Sequence, residues 1–241
     1  MQEWIDKQVV HFTVNFITGD RWKFLLSGLG VTLRITFFAL LIGIVIGVVI
    51  AMVRSTYDKN AEKMRPPGRQ ALHFFNVICK FYLTVIRGTP LVVQLMILYF
   101  IILINVKNPV MIAYIGFGIN SGAYIAEIFR SGIMSIEAGQ FEAGRSLGFN
   151  YVQTMRYIVI PQAFKNVLPT LVNEFIVLMK ETAIAGYLGV QDLAKAGDII
   201  RGRTFSAFMP LVAVALIYLS LILFFAWLVG KLERRLRSSE R

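Results

Sequence analysis

Between residues 24 and 53 almost every side chain is apolar, and Arg34, near the start of the run, is placed to snorkel to lipid headgroups. A helix needs about 20 such residues to cross a hydrocarbon core, so this run predicts a membrane span. Four more follow at 91–104, 110–130, 167–188 and 205–229. The second is entered through an apolar segment at 72–86 that carries His73, Asn76 and Lys80, and it closes in a turn at Asn105-Val106-Lys107-Asn108-Pro109. Residues 54–88 read as a basic loop broken by Pro66-Pro67-Gly68 and then a helix entering the membrane. Residues 189–204 read as a polar loop, and 231–241 as a basic tail. Ahead of the first span, Trp4, Ile5, Val9, Phe12 and Phe16 recur at helical spacing, which predicts an interfacial helix or a frayed tail within 1–23. Gly43 and Gly47, four apart on the first span, offer a flat surface for close helix packing. The pattern predicts an all-α membrane protein of about five transmembrane helices in 24–241.

One stretch between the spans reads differently. Glu142-Ala143-Gly144-Arg145-Ser146-Leu147-Gly148 is helix-compatible until Gly148 stops it, and a second helical run through Ile158 and Ile160 is punctuated by Pro161. Together, at about 132–165, they describe a short exposed helix-turn-helix, an element built to be touched by something outside the membrane.

The spans are not apolar all round. At helical spacing Thr170, Asn173, Glu174, Lys180 and Glu181 fall within about 120° of arc. Asn120, Tyr124, Glu127 and Ser131 share a face of the third span, and Gln94 lies seven residues from Arg87. Ionisable groups inside a membrane are costly enough to be functional candidates by default. Gln94, Tyr124, Glu127, Asn173, Glu174 and Lys180 are therefore candidates for a hydrated pathway for a polar solute. The competing reading is that Glu127, Glu174 and Glu181 pair with Lys180 or Arg130 across helices only to fix packing.

Composition agrees with the pattern. At 56% hydrophobic, 16% charged and a mean hydropathy of +0.65, the chain is too apolar for an ordinary soluble domain. A net charge of +11 would suggest nucleic acid in a soluble protein, but here it reads as basic cytoplasmic loops, with no nucleic-acid partner. Sixteen lysines and arginines lie in the loops after spans one and three and in the tail, against seven on the other side. That asymmetry places the N-terminus outside, the C-terminus inside and the Glu142 element in the cytoplasm of a multi-pass plasma-membrane protein. Residues 1–21 lack the basic start and apolar core of a signal peptide. The single cysteine, Cys79, excludes an internal disulfide, and His11 and His73 have no metal-ligand neighbours in sequence, so no metal site is expected. The chain has no phosphate-binding G-x-x-x-x-G-K-[ST] and no G-x-S-x-G elbow. Neither ATP hydrolysis nor other catalysis is expected of it.

Glu142-Ala143-Gly144, Gly148 and Ile158-x-Ile160-Pro161 resemble the EAA loop of the membrane permease subunits of ABC importers, in the polar-amino-acid uptake family of histidine, arginine and glutamine permeases. Gly144 stands for the usual second alanine and Ile160 for the usual leucine. Arg87-Gly88-Thr89-Pro90-Leu91-Val92-Val93-Gln94 resembles the family signature at the second core helix, and Asn173-Glu174-Phe175 with Lys180-Glu181-Thr182 resembles the fourth. The resemblance covers the chain from about Phe24 onward. It implies a type I importer-like fold in which the Glu142 element is a cytoplasmic coupling helix, with Glu142, Ala143, Gly144, Gly148 and Pro161 at the ATPase contact. It also implies separate ABC ATPase subunits that hold ATP and Mg, no cofactor on this chain, a second permease copy or paralogue, and an external solute-binding protein. A gradient-driven secondary transporter or channel is the alternative, but it would leave the EAA-like loop without a purpose.

Overall fold

The computed structural model describes residues 1–238, and Arg241, counted above with the basic tail, lies outside them. The described chain is helical throughout, in the order α1 (Gln2–Phe12), α2 (Trp22–Asn60), α3 (Pro66–Gly88), α4 (Leu91–Ile97), α5 (Pro109–Met134), α6 (Ala138–Ser146), α7 (Tyr151–Thr154), α8 (Ile160–Glu181), α9 (Leu193–Thr204) and α10 (Phe208–Ser238). Three of these helices, α2, α5 and α10, are long and apolar enough to cross a membrane. At 22 residues α8 reaches about 33 Å, enough to span. Its composition alone would not identify it, because Asn166, Thr170, Asn173, Glu174 and Lys180 interrupt the apolar run.

The centre is the α2–α5 pair. Lipid chains are as apolar as leucine, so helices in a bilayer associate by close approach rather than by hydrophobic gain. Gly43 and Gly47 supply that approach, as their spacing predicts. A Cβ on Gly47 would stand 2.6 Å from Ile125 Cγ2 and 2.9 Å from the Ala126 amide nitrogen. Around this seam Ile35, Ala39, Leu95, Ala113, Phe117, Leu178 and Leu188 form a buried cluster that ties α2, α4, α5 and the end of α8 together.

Three expectations are corrected, and one choice between a helix and a frayed tail is decided. The second span does not run on from its entry helix: α3 and the α4 segment, continued by a π-turn to Ile102, are bent by 108°. Pro90 explains the break. It biases Thr89 away from the helical region, and both residues are extended, Thr89 at φ −122° and Pro90 at ψ 133°. The polar loop expected at 189–204 is instead largely helix α9. Asp192 caps it by accepting from the amides of Ala194 and Lys195, and Leu193, Ala196, Gly197 and Ile200 bury one face. The interfacial segment is a helix with no buried residue of its own. Finally, Pro161 does not punctuate the second helical run. It sits in the first turn of α8 behind a π-turn at Met155–Val159, where a missing N–H is tolerated, so helix continues from Tyr151 to Glu181.

Candidate functional site

Helix α5 presents adjacent polar residues to two different neighbours. Asn120 Nδ2 donates to Gln94 Oε1 on α4 at 3.0 Å, and Ser121 Oγ donates to Glu174 Oε1 on α8 at 3.0 Å. Gln94 has a second task at the Pro90 break. Its Nε2 donates to the carbonyls of Ile86 and Thr89 and to Thr89 Oγ1, which satisfies backbone acceptors orphaned where α3 ends. Two turns further along α5, Glu127 gathers three cations. Arg54 Nη1 on α2 lies at 2.6 Å, Arg130 Nε at 3.0 Å and Arg87 Nη1 at 3.8 Å, while Arg130 also reaches Asp58 at 3.5 Å. The Arg87 guanidinium stands 5.6 Å from the Tyr124 ring centroid. Arg54, Lys80, Thr84, Arg87 and Glu127 line an open cavity of about 460 Å³. Arg54 Nε is buried there without a hydrogen-bond partner.

The sequence-predicted pathway residues thus fall into two groups. Gln94, Tyr124, Glu127 and Glu174 are brought onto or beside α5. Asn173 and Lys180 are not: together with Thr170 they form an exposed stripe along α8, turned away from this chain's own core. Of the expected carboxylate pairings, Glu127–Arg130 forms within α5, whereas Glu174 bonds a serine. Reasoning from sequence did not select Arg54 or Ser121. Arg54 follows the apolar run immediately, and that position is a usable signal, but Ser121 among small residues of α5 carries none.

Just past the C-terminal end of α5, helix α6 stands out from the spans. Glu142 and Ala143 are exposed, as are Leu147, Val152 and Pro161. Gly144 faces inward, and a Cβ on it would stand 2.7 Å from Thr154 Oγ1. Gly148 ends the helix at φ +77°, with the Phe149 amide donating to the Gly144 carbonyl at 3.0 Å. Asn150 then caps α7 in a reciprocal box with Gln153, so the turn is fixed at both sides. Glu142 approaches Arg145 only to 4.0 Å on an open surface, a pair worth tenths of a kcal/mol, about 0.2–0.5. Behind α6 lies a cavity of about 350 Å³ lined by Lys59, Phe141, Arg145, Tyr151 and Thr154, and Lys59 Nζ sits 3.6 Å from the Phe141 ring centroid. Burial pushes the Tyr151 phenol above its ordinary pKa.

Residues 70–238 match the family described as binding-protein-dependent transport system inner membrane component. The arginine transport system permease protein of Bacillus subtilis (strain 168) is 37% identical over 221 residues, covering 90% of this chain and 94% of the relative. The glutamine transport system permease protein of Escherichia coli (strain K12) is 38% identical over 166 residues, covering 67% and 76%. A chain from the crystal structure of an amino acid ABC transporter with histidines superposes with a TM-score of 0.78 at 38% identity, over 91% of this chain and 98% of that one. The inward-facing MetNI methionine ABC transporter has the same fold, with a TM-score of 0.77 at 18% identity, over 90% and 98%.

Proposed function

The chain belongs to the binding-protein-dependent transport system inner membrane components, and on that premise we propose how its polar faces serve transport. It is a permease subunit of an amino-acid ABC importer, a transport component in a family that works with ATPase and substrate-binding partners. The amino acid passes along the exposed face of α8, and a second permease closes the path from the other side. The observation that carries this reading is the Thr170–Asn173–Lys180 stripe, which is polar, exposed and unable to face lipid. Glu174, held by Ser121, lies at the edge of that stripe, and Tyr124, Glu127 and Gln94 form the inner wall. Carboxylates beside the path suit a cationic or amide side chain, and the arginine and glutamine relatives support substrates of the arginine, histidine, lysine or glutamine kind.

Coupling runs through α6. Glu142, Ala143 and the Gly148 turn meet the ATPase, Gly144 lets α6 seat on Thr154, and Pro161 lies in the rod that continues into α8. ATP and Mg are held by that partner, and no cofactor belongs to this chain. The N-terminal segment lies outside and α6 inside, consistent with the distribution of lysine and arginine.

The test is Glu174→Gln in the reconstituted importer. Uptake rate or amino-acid selectivity should change while the complex assembles normally. Wild-type uptake and affinity in that variant would remove Glu174 from the path.

A further inference from the structure

Helix α1 is held to the body from one end. Asn15, fully buried, donates to the His11 carbonyl and to Ser206 Oγ and accepts from Thr204 Oγ1. Phe16 packs into the cluster of Leu25, Leu193, Ile200 and Val214. Beyond this anchor α1 buries nothing, although its sequence is two-faced. Trp4, Ile5, Gln8, Val9 and Phe12 share one side, whereas Glu3, Asp6 and Lys7 lie on the other, with Lys7 paired to Glu3 at 3.2 Å. The four apolar members of the first side are all exposed, Trp4 at 65%.

With Met209 that face borders an open groove of about 350 Å³ lined by no charged side chain. Met209 lies in the first turn of α10, and from it Val212, Leu216, Leu219 and Leu223 continue at alternating three- and four-residue steps down one exposed stripe of a membrane-spanning helix. The groove therefore continues, at the N-terminal end of α10, the apolar stripe that this helix would turn to hydrocarbon in a membrane.

We propose that the groove between α1 and Met209 holds a phospholipid acyl chain, so that α1 is an in-plane membrane anchor at the end of the molecule opposite α6. Nothing on the groove face favours a protein partner by charge. The charged face of α1 then points to headgroups and water, and Trp4 sits at the boundary that tryptophan prefers. The inference needs the chain to be in a membrane but does not depend on which solute it carries.

The experiment uses the full chain in phosphatidylethanolamine–phosphatidylglycerol vesicles, with Trp22→Phe and Trp227→Phe leaving Trp4 as the sole tryptophan. Trp4 should lose most of its emission when chain-brominated phosphatidylglycerol replaces the plain lipid, and little on addition of iodide. Quenching by iodide without quenching by bromine would overturn the proposal, and so would protection from both, which would mean that protein covers the groove. A companion chain that keeps only Trp227, exposed on the same stripe of α10, must be quenched by the brominated lipid. That control separates failure of the α1 proposal from failure to insert at all.

Discussion

Helices α5 and α3 are similar in length, 26 and 23 residues, and opposite in their surroundings. Thirteen residues of α5 are buried, but only Asn76, Cys79 and Leu83 of α3. The difference follows from where small residues fall. α5 carries Gly116, Gly118 and Gly122 along its middle, each with a neighbouring side chain where a Cβ would go. The glycines of α3, Gly68 and Gly88, lie at its ends, and its middle turns Phe74, Phe75, Val77, Ile78 and Phe81 outward. Beside the small cluster of Cys79 and Leu83, polar contacts also tie α3 down: Tyr82 Oη donates to the Ile119 carbonyl at 2.5 Å, Tyr57 meets His73 at 2.9 Å, and Arg87 reaches Glu127. The two basic walls of the Glu127 cavity, Arg54 on one side and Lys80 with Arg87 on the other, therefore belong to one fixed helix, α2, and one lightly held helix, α3.

The largest effect should come from the fixed side. Gly47→Leu forces a side chain against Ile125 and the backbone of Ala126 and should cost about 3 kcal/mol or more, read as a fall in melting temperature of the solubilised protein. Phe81→Ala on α3 should stay within about 0.5 kcal/mol, and equal losses at the two positions would break the contrast. Next comes the boundary between the helices. Glu127→Gln leaves Arg54, Arg87 and Arg130 without their shared carboxylate and should cost about 2 kcal/mol, discounted from a fully buried pair because the side chains are partly exposed. Adding Arg54→Met should recover part of that loss, and additive losses would show that the two residues act separately.

A smaller cost in stability, with a larger consequence for activity, is expected at α6. Gly148→Val places a β-branched residue at φ +77°, a strain of about 1–2 kcal/mol confined to the turn. The reconstituted complex should then lose its ATPase or hydrolyse ATP without uptake, and intact coupled transport would remove Gly148 from the coupling contact. The smallest effect is expected at Asp192, between the fourth and fifth spans. Burial, partly offset by bonds from the amides of Lys195 and Ala194, holds its carboxyl above the ordinary 3.8. The folded chain then keeps a proton that the unfolded chain has released. This contribution to stability is present below 3.8 and lost as pH rises through the raised value. Asp192→Asn keeps an acceptor for those amides and removes the charge, so its melting temperature should not decline over that window. At neutral pH it should differ from wild type by less than about 1 kcal/mol. A much less stable variant would show that the charged cap outweighs its burial.

Much of this architecture was legible along the chain, because apolar runs of span length at α2, α5 and α10 have few other meanings. The Gly43–Gly47 spacing is common by chance and gains its meaning from Ile125 and Ala126 packed against it. The break at Thr89–Pro90 was harder to see. Apolar residues flank it on both sides, and hydropathy does not register a bend. α9 was hidden for the converse reason: Lys195, Asp198, Arg201 and Arg203 make it look like loop, while the face made by Leu193, Ala196 and Ile200 is only about two turns long. Within the site, Glu127, Tyr124 and Glu174 announced themselves as polar residues in apolar company. That Gln94 spends its amide on the end of α3, and that Ser121 rather than a cation meets Glu174, depends on contacts between helices that no single-helix pattern encodes.

The helix that runs unbroken from Tyr151 to Glu181 crosses α5 at Gly132, where a Cβ would collide with Val167. At about 1.5 Å rise per residue, the arms from Val167 to Tyr151 and to Lys180 are about 24 Å and about 20 Å long. The arm toward Lys180 is not free, because the Ser121–Glu174 bond and the cluster that holds Phe117 and Leu178 bind it to α5 as well. A push delivered where α6 seats on Thr154 would therefore turn the two helices as one body rather than rock one against the other.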